Sequence, residues 1–384
     1  MREAVYQIKI DGRDISRDLD PILLSLSIKM GDGNHADELE IEVDDTDGQV
    51  VLPAMGAPVS ALIYWDDEGE AVEFEGFLDL ASSGDKHKHA HDDQGGGHHH
   101  GHGGHGEHGG HGGHHGGGGG PVHSSGSRSK GRTLTLTAKS ADMTGPLKQR
   151  AQRHKDKSKF GDVAKAWGKK AGLKDVKIEA GLAAIERPYW SMAHESFMAW
   201  GARIADELGA TFKVYGKVAV FVPRAGGTAA DGQALPSITA AWGKNLLGWS
   251  VTPVTSRPNY GQFATRYYDP QAAAWKTAGP DGSTTGKGVK HHHAFKAPSK
   301  AHATQRSGSN AKEIGREKGG AESVEIDGEP AAQAGALCAV EGIRPGVDGS
   351  YLVSDVSHTL HRSSGWTTRL CLKQPTGTAG TDTR

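Results

Sequence analysis

Thirteen of the chain's 22 histidines fall between His87 and His123, inside a glycine- and histidine-rich run from Gly84 to Arg128. Neutral imidazoles at that density bind zinc, nickel or copper ions in solution. A working metal centre needs more, namely three or four ligands fixed by outer hydrogen bonds, and a glycine-diluted loop supplies none. With Ala90 and Val122 as its aliphatic side chains, the run cannot offset its ordering entropy. It reads as a disordered insertion (84–128), tolerated in solvent, with a pH-responsive or metal-sensing loop as the alternative. The triplet His291, His292 and His293 is discounted on the same grounds, and no metal site is assigned.

Other chemistry-bearing spacings are near misses. Gly31-x-Gly33-x-x-Ala36 has the dinucleotide-binding spacing, but it leads into the alternating run ELEIEV, so no helix N-terminus follows to hold a pyrophosphate. Gly101, Gly103 and Gly106 match only because the region is mostly Gly and His. Gly282 to Gly288 lacks the first P-loop glycine and the Ser/Thr that would hold magnesium. There is no Gly-x-Ser-x-Gly elbow and no His-Glu-x-x-His helix; His194-Glu195 stands where a helix begins, and Glu195 is read as answering its positive end. No catalytic residue and no cofactor is assigned.

The elements that would position any site are mostly strands. Tyr6, Ile8 and Ile10 alternate, as do Leu24, Leu26, Ile28 and Met30, then Leu39, Ile41 and Val43 between Glu38, Glu40 and Glu42. Val72, Phe74, Leu78 and Leu80 follow, and alternation resumes at Leu134 and Leu136 after the insertion. The insertion is therefore read as lying between two paired strands, with Phe77 to Ala81 leading in. Residues 1–150 are expected to form a first β-barrel domain.

From Phe160 the period changes. Phe160, Val163, Ala164, Trp167 and Ala171 share one helical face that stops at Gly172. A strand around Val176 to Ile178 precedes a second helix carrying Phe197, Trp200, Gly201, Ile204 and Leu208, stopped by Gly209. TFKVYGKVAVFVP then turns at Gly216 as a hairpin, so 151–225 is a small α/β domain. Residues 226–375 are expected to form a second β-barrel domain. It includes a mobile loop at 276–309 and a charged helix over Asn310 to Glu322, and 376–384 is a frayed tail. Trp167, Trp200 and Phe197 read as core. Trp242, Trp249 and Trp366 either pack internally or line a subunit contact.

Composition excludes little. A formal net charge of -2 gives no basic field for nucleic acid, and 35% hydrophobic residues diluted by 56 glycines fit a globular protein with low-complexity inserts. Cys338 and Cys371 sit in apolar strand-like runs, which suits buried thiols in a reducing compartment better than a disulfide. The N-terminal residues show no apolar signal core and no segment reaches the ~18 apolar residues of a membrane span, so synthesis and folding in the cytoplasm are expected.

The segment Asp348 to Lys373, DGSYLVSDVSHTLHRSSGWTTRLCLK, reads as two strands around a Gly turn. Tyr351 and Val353 share one face, Val356 restarts the alternation, and Trp366, Thr368, Leu370 and Leu372 follow with period two. Its Asp-Gly-x-Tyr-x-Val-x-x-Val-x-His turn and Gly-Trp-x-Thr-x-Leu resemble the close of contractile-tail baseplate hub proteins, the late control protein D family. RTLTLTAKSADMTGPLK, HESFMAWGARIADELGATFKVYGKVAVFVPRAGG and ITAAWGKNLLGWSVTP are similar to earlier blocks of that family in order and spacing. The His/Gly insertion is not one of its hallmarks.

The resemblance implies a structural part and no enzyme. Each subunit would supply two tube-like β-barrel domains around a helix-containing domain. The homotrimer would form a pseudo-sixfold ring that joins a hexameric tail tube protein to a trimeric spike protein. It further implies tape-measure and other baseplate neighbours, no specific nucleic acid, no membrane insertion, and residence in a phage or tailocin tail baseplate assembled in the host cytoplasm. The family is similar to the hub half of type VI secretion spike proteins, which continue into an OB-fold and a β-helix. A hub portion of such a spike is the first alternative, and a metal-binding or cell-wall-acting enzyme is the second. Tyr351, Trp366 and Leu370 are expected to pack a barrel, and His358 to be structural.

Overall fold

The computed structural model describes residues 2–33, 36–85, 131–142, 145–224, 226–229, 232–252, 260–279, 289–316, 320–376, 379 and 382. Beyond Gly84 and Asp85, the expected His/Gly insertion lies outside the described residues, as do Gly282 to Gly288.

The first third of the chain is β1 (Ala4–Ile10), β2 (Arg13–Asp14), a one-turn α1 (Ser16–Leu19), β3 (Leu23–Gly31), β4 (Glu38–Asp44), β5 (Pro58–Trp65), β6 (Ala71–Asp85) and β7 (Arg132–Lys139). The middle holds β8 (Ala151–Lys159), α2 (Phe160–Lys170), β9 (Asp175–Ile178), α3 (Ala180–Ala183), β10 (Glu186–Glu195), α4 (Phe197–Leu208), β11 (Ala210–Tyr215) and β12 (Val218–Pro223). The remainder is β13 (Ile238–Ala241), β14 (Leu246–Thr252), β15 (Tyr260–Asp269), β16 (Ala274–Ala278), β17 (Val289–His292), α5 (Lys300–Arg316), β18 (Gly320–Asp327), β19 (Leu337–Glu341), β20 (Gly349–His361) and β21 (Gly365–Thr376).

Alternation becomes burial wherever one face of a strand meets the core. In β4, Leu39, Ile41 and Val43 are buried while the intervening glutamates are not, and β5 buries Val59, Ala61, Ile63 and Trp65 in the same way. In β6 the register shifts between Leu78 and Leu80, so Leu78 is buried while Leu80 is 55% exposed. Gly76 in the same strand is obligatory, because a Cβ there would lie 2.2 Å from the Lys139 carbonyl oxygen. β6 and β7 pair antiparallel up to Asp85 opposite Arg132, so the intervening segment does leave from between two paired strands.

The fold is mainly β. The two β regions share a single 13-stranded sheet in the order β14-β18-β21-β20-β3-β4-β7-β6-β5-β1-β2, with β13 and β19 branching from β20. Among the described residues, hydrogen bonding closes neither half into a barrel. Two hydrophobic cores lie along it, one around Ile8, Leu26, Ile41 and Phe74, the other around Val324, Cys338, Tyr351 and Leu370.

A third core belongs to the α/β unit. Phe160, Trp167, Phe197 and Trp200 lie on the facing stripes of α2 and α4 and are buried against Phe212 and Phe221 of the β11–β12 hairpin. Trp167 and Trp200 meet edge-on with centroids 4.9 Å apart, and Phe160 meets Phe221 at 5.0 Å. The Ser196 hydroxyl caps α4 by accepting from the Ala199 amide, and Gly209 ends it in the left-handed region at φ 67°. Glu195, expected to answer the helix end, instead binds Arg203 of α4 at 2.6 Å.

Between β14 and β18 the structure departs from expectation. The stretch 276–309 read as a loop contains the end of β16, all of β17 and the first turns of α5. The helix read over 310–322 begins ten residues earlier at Lys300, and Gly320 to Glu322 belong to β18. The buried face of α5 is carried by Ala303 and Ser307 against Thr265 and Tyr267, too small and polar a stripe to show as hydrophobic periodicity. No helix among the described residues is long and apolar enough to cross a membrane.

Candidate assembly surfaces

The two β regions are joined by β20. From Asp355 opposite Gly31 to His361 opposite Ser25 it pairs antiparallel with β3, while its other edge carries β21. A register shift between Val353 and Asp355 is the break in alternation visible in the sequence, and it lets one strand serve both cores. Tyr351, Val353 and Val356 enter the second core; Leu360 and, from β21, Trp366 enter the first. Trp65 of β5 stacks on Trp366 and donates its indole N–H to the Gly328 carbonyl at 2.9 Å.

The α/β unit is fastened to the same junction. The Thr211 hydroxyl donates to the Asp32 carbonyl at 2.6 Å, and Ser140 Oγ donates to the Val214 carbonyl at 2.9 Å while accepting from the Asp37 amide. Lys213 and Asp37, 7% and 3% exposed at the side chain, pair at 2.5 Å. Removing one partner of such a pair costs about 3–5 kcal/mol because the other charge stays buried. A cavity of about 500 Å³ lies at this three-way joint, between Asp32, Lys213, Val72 and Ala332.

Among the described residues the strand order of the sheet runs out at β14 and β2, and its branch runs out at β13. Near the β14 edge Trp242 and Trp249 are 57% and 43% exposed, with ring centroids 4.8 Å apart and planes at 85°, and Leu247 beside them is also exposed. A bare edge strand flanked by exposed apolar side chains is a pairing surface. Of the three tryptophans with two readings, Trp366 packs inside and Trp242 and Trp249 face out. A second exposed aromatic group, Tyr268, Trp275 and Phe295, lies on the small sheet β16-β15-β17 and its following loop.

The sequence-derived candidates scatter. Gly31 ends β3 and Glu38 begins β4, so the dinucleotide-like spacing falls between two strands, with no helix following it. His358 is fully buried, its Nδ1 lies 3.0 Å from Thr368 Oγ1, and burial pushes its imidazole down to about 4. His291 and His292 are in β17, with His293 just after it, and His194 takes a positive φ of 53° before α4. Cys338 and Cys371 are both free thiols. Among the described residues no group of three or more His, Cys, Asp or Glu is placed to hold a metal ion. Sequence reading missed Trp65, the Asp37–Lys213 pair and an arginine cluster around Glu207, none of which carries a local motif.

No family profile matches the chain. It is 25% identical over 234 residues to the "Probable baseplate hub protein" of Escherichia phage P2 and, to the same degree, to that of Escherichia phage 186. Each match covers 61% of this chain and 49% of the relative, so the chain spans about half the length of the curated relatives it matches. These homologues are named as structural tail parts and not as enzymes, in keeping with the resemblance read from the sequence.

Three solved structures share the fold. A tail protein from Neisseria meningitidis MC58 matches with a TM-score of 0.61 at 14% identity, covering 97% of this chain and 96% of its own. The 43 kDa tail protein of prophage MuSo2 from Shewanella oneidensis gives 0.63 at 11% identity, covering 97% and 98%. The E. coli c3393 protein, described as a type VI secretion component similar in structure to the T4 tail proteins gp27 and gp5, gives 0.50 at 10%, covering 98% and 79%.

Proposed function

We propose that this chain, a homologue of the baseplate hub proteins of phages P2 and 186, is the hub of a contractile injection machine. It acts there as a homotrimeric adaptor between a hexameric tail tube and a trimeric spike. The observation that carries the reading is the 234-residue relationship to hub proteins, running in order across a chain whose fold is that of tail proteins. Each half of the 13-stranded sheet supplies one tube-wall module, so three copies present six modules to the tube. The β14 edge, with Trp242 and Trp249, meets a neighbouring copy. The protein's work is mechanical, with tail tube, spike, tape-measure and other baseplate proteins as partners and the tail baseplate as its location.

Electron microscopy of the assembled particle tests this. Three copies between tube and spike are expected; a sixfold ring of this chain, or its absence from that level, overturns the reading. A second reading is supported by the fold shared with the type VI secretion component, namely the hub portion of a secretion spike. Neighbouring genes encoding tail tube and tape-measure proteins favour the first, and a neighbouring effector gene favours the second.

A further inference from the structure

Three guanidinium groups converge on one carboxylate where α4 meets the start of α5. Arg187 Nη1, Arg203 Nη1 and Arg306 Nη2 lie 2.8, 3.2 and 3.0 Å from the oxygens of Glu207. Glu195 takes Arg203 as well, at 2.6 Å. Two carboxylates therefore face three arginines, and Lys296 at the rim adds a further cation, its Nζ 4.6 Å from the Trp275 ring centroid. Arg187 is only 5% exposed, so its charge has to be met inside this cluster.

The donors are unevenly spent. Arg203 is committed, giving Nε and Nη2 to Glu195, Nη2 also to the Ser191 carbonyl, and Nη1 to Glu207. Arg306 gives one N–H to Glu207 and borders a cavity of about 330 Å³ with Tyr189, Trp190 and His302. Arg187 Nε and His302 Nε2 are buried in the same place without a hydrogen-bond partner among the described residues. Burial and the neighbouring Arg187 keep the His302 imidazole neutral, down at about 4. Buried donors left without a partner beside an open volume, where β10 meets the two helices, call for a ligand or ordered water to complete them.

We propose that this cavity binds a carboxylate, held by the free edge of the Arg306 guanidinium and flanked by Trp190 and Tyr189. The planar guanidinium fork of Arg306 suits a carboxylate group. The group comes either from a free small acid or from an acidic side chain of a partner protein. The proposal does not depend on the hub reading.

The test titrates the purified full chain with sodium succinate, and separately with a blocked tetraglutamate peptide, by calorimetry at ionic strength matched with sodium chloride. Saturable binding is expected, at least tenfold weaker in Arg306→Gln and unchanged in Arg2→Gln, a change at a distant surface arginine. Succinate should also shift the His302 imidazole NMR resonances in the unmodified protein, a readout that survives if Arg306→Gln does not fold. Binding of succinate assigns a free acid, and binding of the peptide alone assigns a partner's side chain. The proposal is overturned if neither ligand saturates, if Arg306→Gln binds as well as the unmodified protein, if the His302 resonances stay put throughout, or if sulfate competes as strongly as succinate.

Discussion

Trp65 and Trp366, from opposite ends of the chain, stack with centroids 5.1 Å apart and planes inclined at 36°, and Gly328 lies against the pair. The contact joins strands that sequence order keeps far apart, and glycine is required at 328 because a Cβ there would lie 2.3 Å from the Trp366 ring. Trp366→Ala should cost about 3–5 kcal/mol in urea unfolding. Gly328→Ala should cost about 1–3 kcal/mol by overpacking, and much less once Trp366 is already alanine. Equal costs in both backgrounds would mean that the two residues do not share this packing.

Because Asp85 pairs with Arg132 at the end of the β6–β7 ladder, the segment between them is a hairpin connection in topology whatever its length. Replacing residues 86–131 by Asn-Gly should raise the unfolding free energy by up to about 3 kcal/mol, since closure entropy changes by about 0.6 kcal/mol for each doubling of loop length. Sedimentation should give the same oligomer as the parent. A smaller species would assign the segment a part in assembly.

Stability should fall on mild acidification through His358. The folded protein holds this imidazole down at about 4, whereas the unfolded chain titrates near 6.5. The unfolded state therefore binds more protons between those values, and the contribution is fully present above about 6.5 and lost as pH falls towards 4. Its size is on the order of 3 kcal/mol, and because His302 is held down to the same degree, His358→Gln should remove about half of the drop over that range. Urea midpoints at pH 7 and pH 4.5 measure it; an equal drop in the variant would place the pH sensitivity elsewhere.

Cys338 is buried in the second core and its thiol is pushed up to about 12. Thiolate is the reactive form, so iodoacetamide at pH 8 should leave Cys338 unmodified in the native protein and label it fully in guanidinium chloride. Mass spectrometry of the digested peptide decides it. Native labelling at the unfolded rate would show that the β13–β19 layer opens freely.

Sequence legibility followed side-chain size and locality. The β20–β21 hairpin, the restart of alternation at Val356, α2, α4 and the turn at Gly216 were readable because large apolar residues recur at fixed spacing and glycines stop each run. β8 was not, because its AQRHKDKSK sequence is polar throughout and pairs as an exposed ribbon with β10. α5 was misplaced because its core contacts are Ala303 and Ser307. The pairing of β20 with β3, and the convergence of Arg187, Arg203 and Arg306 on Glu207, are matters of long-range topology that no local period encodes.

The β3–β20 ladder also sets how the molecule bears load. Tension applied along the strands would have to break the register pairs from Asp355–Gly31 to His361–Ser25 together, in shear, and could not peel them one at a time. A pull at right angles would unzip the same contacts in sequence from one end. The chain is therefore stiff along one direction and yielding across it, so its orientation in any force-bearing assembly determines whether the two cores stay together.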